Sequence, residues 1–214
     1  SLDILDITLE TGSRQGPSPL GLWIRGAGNL AAVTTRSVAV VGSRAATEYG
    51  LRVAAELAAD LATAGWTIVS GAAYGIDAAA HRGTLAVGGT TVGVLACGVD
   101  TAYPSGHAGL LHRIADEGVV VSELPPGSRP SRLRFLARNR LIAAMTRGTV
   151  IVEAAIRSGA LNTAGWTLDI GRDVLAMPGP VTSALSAGCH DLVRKGAATL
   201  VTDAREVIDM VGDF

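Results

Sequence analysis

Short apolar runs recur along the chain, and each is followed by a turn signal. Val38–Val41, Thr67–Val69, Thr91–Leu95, Val119–Val121, Thr149–Val152 and Val174–Ala176 are rich in β-branched side chains. Runs of this kind, closed by glycine or polar residues, read as strands buried on both faces. Between them the spacing becomes helical. Leu51, Ala54, Ala55, Ala58, Leu61 and Ala62 form an apolar stripe that Gly65 closes. Ile76–Val87, His107–Glu117, Phe135–Thr146, Leu161–Ile170 and Asp203–Val211 share that spacing. Strands alternating with helices predict an α/β fold: an extended Rossmann-like, mostly parallel sheet with helices on both faces.

Residues 1–36 precede the first strong strand–helix unit. Gly21–Gly26 reads as an extra strand, Asn29–Val33 as a short helix, and Gly12–Pro19 as a loop of Gly, Ser and Pro. The expected organisation is an N-terminal extension, residues 1–36, packed on a Rossmann-like core domain of residues 37–214. A length of 214 residues suits one large domain with such an appendage.

Composition narrows the functional classes. Hydrophobic residues make up 48% and charged residues 17%, which provides for a sizeable core and argues against disorder. The net charge of −1 leaves no whole-protein basic field, so any anion site must be local. All basic residues except Lys195 are arginines; the planar guanidinium fork suits phosphate, although coding bias would give the same imbalance. Cys97 and Cys189 form no CxxC pair, no uninterrupted apolar span has membrane length, and no basic-then-apolar leader opens the sequence. The expectation is a cytoplasmic protein away from membranes.

Ligands of parallel α/β sheets bind beyond the carboxyl ends of the strands. Gly42-Ser43-Arg44, Ser70-Gly71-Ala72-Ala73-Tyr74-Gly75, Cys97-Gly98-Val99-Asp100, the long loop from Glu123 and the loop from Glu153 to Ser158-Gly159 therefore share one rim. One Gly/Ser loop is explained by tight turning alone. Three on the same rim point to backbone N–H groups and helix N-termini around an anion. From Leu124 to Val152 there is no acidic residue, and the stretch carries Arg129, Arg132, Arg134, Arg138, Arg140 and Arg147 around one aromatic, Phe135. A charge run is usually a solvated face. Bordering a ligand rim, arginines that track a backbone and an aromatic that stacks on a base are what single-stranded nucleic acid needs.

Other chemistry finds little support. No GxGxxG follows the first strand, Lys195 lies in no Walker motif, and there is no GxSxG elbow. His81, His107, His112 and His190 lack metal-ligand spacing. His81 reads as a satisfied structural histidine, Cys97 as a buried thiol, and Asp100 and Glu123 as single acids at strand ends rather than a working pair. No catalytic residue, metal or cofactor is expected.

A set of ordered motifs resembles the DNA-processing protein A (DprA/Smf) family. They are Val41-Gly42-Ser43-Arg44 with Tyr49-Gly50, Ile68-Val69-Ser70-Gly71 with Gly75-Ile76-Asp77 and Ala80-His81, Gly98-Val99-Asp100 with Tyr103-Pro104, and Ser122-Glu123. Phe135 with Arg138-Asn139-Arg140, Val152-Glu153-Ala154, Ser158-Gly159 with Thr163-Ala164, Pro178-Gly179 and Gly196-Ala197 complete it. The resemblance implies a non-enzymatic single-stranded DNA-binding protein acting in DNA uptake, natural transformation and recombination, which delivers the strand to the RecA recombinase. It carries DNA contact over to Arg44, Phe135, Arg138 and Arg140, with Arg132 as a basic neighbour. The whole candidate set is Gly42, Ser43, Arg44, Ser70, Gly71, Arg132, Phe135, Arg138, Asn139, Arg140, Ser158 and Gly159. Leu136 stands where the family usually has Pro, and Tyr74 where Arg is common; Asn162 and His190 also differ. Homodimerisation is expected through the late part of the fold, where Val181–Val193 is rich in small and apolar residues. The alternative function is that of a nucleotide-binding protein or nucleoside-phosphate hydrolase of the lysine-decarboxylase-like class. Glu153–Ala160 lacks the Pro-Gly-Gly-x-Gly-Thr loop of that class, which counts against it.

Overall fold

The computed structural model describes residues 18–26 and 28–212. All but the last two residues of the Gly12–Pro19 loop lie outside them. Among the described residues the strands are β1 (Trp23–Arg25), β2 (Ser37–Gly42), β3 (Thr67–Ser70), β4 (Thr91–Val94), β5 (Val119–Ser122), β6 (Gly148–Val152), β7 (Asp173–Ala176) and β8 (Thr199–Leu200). The helices are α1 (Leu30–Thr34), α2 (Glu48–Thr63), α3 (Ile76–Ala86), α4 (Ala108–Glu117), α5 (Arg132–Ala144), α6 (Ala160–Asp169), α7 (Ala187–Arg194) and α8 (Ala204–Val211). They form one sheet in the order β1-β5-β4-β3-β2-β6-β7-β8, parallel throughout except where β1 pairs antiparallel with β5. The α/β alternation predicted from the apolar runs is the observed fold.

Strand alternation divides the core into two layers. Val38 and Val40 of β2, with Ile68, Val150, Val152 and Leu175, face α2, α3 and α8. Ala39 and Val41, with Val94, Val121, Ile151 and Val174, face α1, α5, α6 and α7 through Leu30, Leu141, Ile142, Ala164 and Cys189. Gly83 of α3 lies against α2 so closely that a Cβ there would meet the Ala55 carbonyl at 2.1 Å. The alanine stripe of α2 therefore serves backbone-to-backbone packing of the two helices.

One boundary and three elements differ from the apolar pattern. α5 begins at Arg132, ahead of its first apolar contacts, because the Ser131 hydroxyl accepts from the Arg134 amide at 3.4 Å and caps it. A 3₁₀ turn, Ser105–His107, precedes α4. The pattern predicts neither the eight-residue α7 nor β8, which is two residues long.

The chain runs outward from β2 through β3 and β4 to β5, then returns to lay β6 on the other flank of β2. The order reverses between β2 and β6, so their carboxyl ends diverge and open a crevice. No helix among the described residues is long and apolar enough to cross a membrane.

His81 is fully buried on α3. The Thr91 hydroxyl donates to the Ile68 carbonyl at 2.7 Å, so it accepts from the His81 Nδ1–H at 2.7 Å. Burial first, then the charges of His107, Arg138 and Arg82, lower the pKa of His81 to about 3. The unfolded histidine protonates near its ordinary value of 6.5, so the unfolded state binds the extra proton between those values. Stability conferred by His81 is present above pH 6.5 and is lost as pH falls towards 3. Relative to His81→Asn, the wild-type chain should lose about 2 kcal/mol of stability between pH 7 and pH 5, measured by urea unfolding. A constant difference between the two proteins would show that the histidine ionises inside the fold.

Candidate nucleic-acid interface

The crevice at the β2/β6 reversal is a cleft of about 790 Å³. Its floor is Val41–Ala45, its near wall the start of α5, and its far wall Arg157–Thr163. The loop after β2 passes flush against β6: a Cβ on Gly42 would sit 1.9 Å from the Val152 carbonyl, so only glycine fits. The Ser43 amide donates to the Glu153 carbonyl at 2.7 Å.

Glu153 anchors the loop a second time. It holds a left-handed backbone (φ 53°), and its buried carboxylate accepts from the Thr47 amide at 2.9 Å and the Thr47 hydroxyl at 2.6 Å. Thr47 in turn caps α2. Gly50 leaves room for the carboxylate, which a Cβ there would meet at 2.3 Å. Thus the β6 loop fixes both the β2 loop and the start of α2. Arg44, held between them, is exposed, and its guanidinium lies 4.6 Å from the centre of the Phe135 ring. Phe135 is half-buried, and the ring of Tyr103, an exposed residue, leans on it at 5.7 Å. A cation and two aromatic rings thus share one open patch.

The arginine run of α5 divides into two sets. Arg132 is exposed at the cleft mouth beside Leu133 and Leu136. Arg134 donates to the Arg129 carbonyl. Arg138, Asn139 and Arg140 are buried. Arg138 reaches beneath the sheet ends, donating to the Gly71 carbonyl at 2.8 Å and to that of Val94, while its Nε donates to Asn139 at 3.2 Å. Arg140 donates to the Ala137 carbonyl and pairs with Glu123 at 2.7 Å. These two arginines, expected along the phosphates, are turned inward by the helix period. Arg138 precedes Leu141 and Ile142 by three and four positions, so it shares their core face.

The loop after β3 is likewise internally occupied. The Ser70 hydroxyl donates to the Val40 carbonyl at 2.7 Å, away from the cleft. The amides of Gly71 and Ala73 donate to Asp77 at 3.1 and 3.4 Å. The anion for which this loop is shaped is therefore the chain's own carboxylate. Burial pushes the Asp77 carboxyl up, against the pull of Arg138, the two amides and Arg44. Burial also lowers Arg138 to about 10, against the pull of Asp77.

At the far wall the Ser158 hydroxyl accepts from the Ala160 amide at 3.3 Å, and exposed Gly159 opens α6. Asp100 accepts from the Gly127 amide at 3.0 and 2.9 Å. Asp100 and Glu123 thus serve separate partners rather than each other. Among the described residues no three His, Cys, Asp or Glu side chains gather to hold a metal ion. Of the sequence-derived set, Gly42, Ser43, Arg44, Arg132, Phe135, Arg138, Asn139, Ser158 and Gly159 line the cleft, whereas Ser70, Gly71 and Arg140 lie behind it. The structure adds Tyr103, Arg157 and Asn162 to the lining. Tyr103 lay within a family motif noted in the sequence, Arg157 within the rim loop from Glu153 to Gly159, and Asn162 was noted only as a departure from the family pattern.

Comparison with known proteins follows the same lines. The profile of the family described as DNA recombination-mediator protein A matches residues 12–212. The DprA protein of Mycobacterium tuberculosis is 58% identical over 197 residues, 92% of this chain and 50% of that one. The chain thus spans half the length of that curated relative. The crystal structure of DNA processing protein A from Streptococcus pneumoniae is similar at TM-score 0.88 and 38% identity, over 98% of this chain and 72% of the other. A solved structure of DNA processing protein A from Helicobacter pylori, described with a single-stranded DNA binding mode, is similar at TM-score 0.83 and 28% identity, over 94% of this chain and 90% of the other.

Arg138→Met should cost about 3–5 kcal/mol of folding stability, because it leaves Asp77 without its neighbouring charge and two carbonyls without donors. Arg132→Ala should stay within about 0.5 kcal/mol of the parent. Urea melts of the two variants check the division. Equal stability would place both guanidiniums in solvent.

Proposed function

The chain belongs to the DNA recombination-mediator protein A family, and on that footing we propose that it binds single-stranded DNA in the β2/β6 cleft without altering it chemically. The contact of Arg44 with Phe135 carries the reading. A guanidinium laid on an aromatic ring, open to solvent at a strand-order reversal, offers one phosphate contact and one stacking surface side by side. Arg132 and Arg157 extend the positive edge, and the Gly159 end of α6 faces the same space.

The remaining acids support binding rather than catalysis. Glu153, Asp77, Asp100 and Glu123 each hold a loop or pair with an internal arginine, so none stands ready as a general base. In the cell, the chain works in the cytoplasm in DNA uptake, natural transformation and recombination, handing the strand to RecA. It does so as a homodimer that joins through the region around Val181–Val193, where Val181 is 89% exposed. Two linked clefts would raise affinity for long strands through effective concentration.

Oligo(dT) should bind more tightly than a duplex of equal length, and the affinity should fall with salt at a log–log slope of about −0.7 per phosphate contact. Arg44→Ala and Phe135→Ala should each cost about 1–3 kcal/mol of binding. The double variant should lose less than their sum, because each side chain orders the other. Duplex preference, or a salt-independent affinity, would end this reading.

For the assembly, light scattering should give twice the chain mass, and Val181→Arg should halve it while weakening binding to long strands more than to short ones. A parent chain that stays monomeric at every concentration would remove the dimer.

A further inference from the structure

Asn162 lines the cleft from the first turn of α6, next to Ser158 and Gly159. Its amide is oriented by a chain of hydrogen bonds whose polarity allows one arrangement. The Nε of Arg138 can only donate, so the Asn139 atom facing it at 3.2 Å is Oδ1. The Nδ2 of Asn139 then faces the other way. It donates to the Gly159 carbonyl at 3.3 Å and to the Oδ1 of Asn162 at 3.2 Å. A carbonyl only accepts, which fixes Asn139 a second time. With its oxygen engaged, Asn162 must present its Nδ2 elsewhere. Among the described residues that nitrogen has no acceptor, and it is not sealed from solvent.

We propose that the Asn162 Nδ2 donates to an acceptor oxygen of the bound strand, from a phosphate or a base carbonyl, and that the buried Arg138 aims it through Asn139. The contact rests on the single-stranded DNA reading above. It sits at the α6 end of the cleft, across from the Arg44–Phe135 patch, so the strand is gripped from both walls. It also gives the inward-turned Arg138 a part in binding: the guanidinium touches no DNA, yet it decides that the cleft shows an N–H rather than an oxygen at this point. An oxygen there would repel every phosphate.

The test is fluorescence anisotropy with oligo(dT) and with an abasic oligonucleotide of the same length, on the parent, Asn162→Leu and Asn162→Asp. Leucine keeps the bulk without the donor and should weaken binding about tenfold, the effect of one hydrogen bond to a charged or carbonyl oxygen. Aspartate still accepts from Asn139 but turns an oxygen to the cleft, and should weaken binding further. Loss on both oligonucleotides assigns the acceptor to a phosphate; loss on oligo(dT) alone assigns it to a base. Aspartate keeps the internal bond, so it reports even if leucine disturbs the fold. Parent affinity in Asn162→Asp, on both oligonucleotides, overturns the contact while leaving the DNA reading intact. A parent chain that binds neither oligonucleotide overturns the DNA reading and this contact with it.

Discussion

Arg138 carries its guanidinium, buried, under the carboxyl ends of β3 and β4, and a charge in such a place needs acceptors already arranged around it. The Gly71 and Val94 carbonyls and the Asn139 amide provide them, with the Asp77 carboxylate close by. Those partners sit on one strand end, a loop and two helices. Meeting the demand of one cation therefore fixes where α5 lies on the sheet, and with it Phe135 and Arg132. Gly71 has no side chain because the guanidinium takes that space, at 2.5 Å from where a Cβ would be.

The same logic explains how a chain of net charge −1 presents a positive cleft. Acidic side chains around the rim are engaged as loop anchors, Glu153 by Thr47, Asp77 by its own loop, Asp100 at the surface by Gly127, and Glu123 by Arg140. What faces solvent is Arg44, Arg132 and Arg157. Local potential is set by which charges are internally satisfied rather than by their total. Each anchor also removes a competitor for phosphate.

The sheet was legible because buried parallel strands leave a simple imprint, a short β-branched run closed by a turn. Arg44 was legible because it directly follows such a run. The arginines of α5 were only half legible. As a charge run they read as one basic face, yet a helix turns its residues through every direction, and Arg138 is followed at helical spacing by Leu141 and Ile142, which point to the core. That spacing was present in the sequence and outweighs the charge. The glycine loop after β3 could not be resolved this way. A loop that cradles a phosphate and one that cradles its own aspartate need the same small residues, and only the position of Asp77 separates them. Asn162 stood out in the sequence only as a departure from the family pattern; its place in the cleft was not legible, because it depends on Asn139, 23 positions away in sequence.

The outermost strands have a consequence for how copies of the chain can associate. Among the described residues the sheet is bordered by β1, which has three residues and runs against the direction of the sheet, and by β8, which has two. An unpaired strand border is a template for another backbone, and a short one offers only a few hydrogen bonds to an incoming chain. Growth of the sheet from molecule to molecule, the route to fibres and indiscriminate sticking, is blunted at both borders. Recognition between copies is left to helix and loop surfaces, whose side chains can be specific.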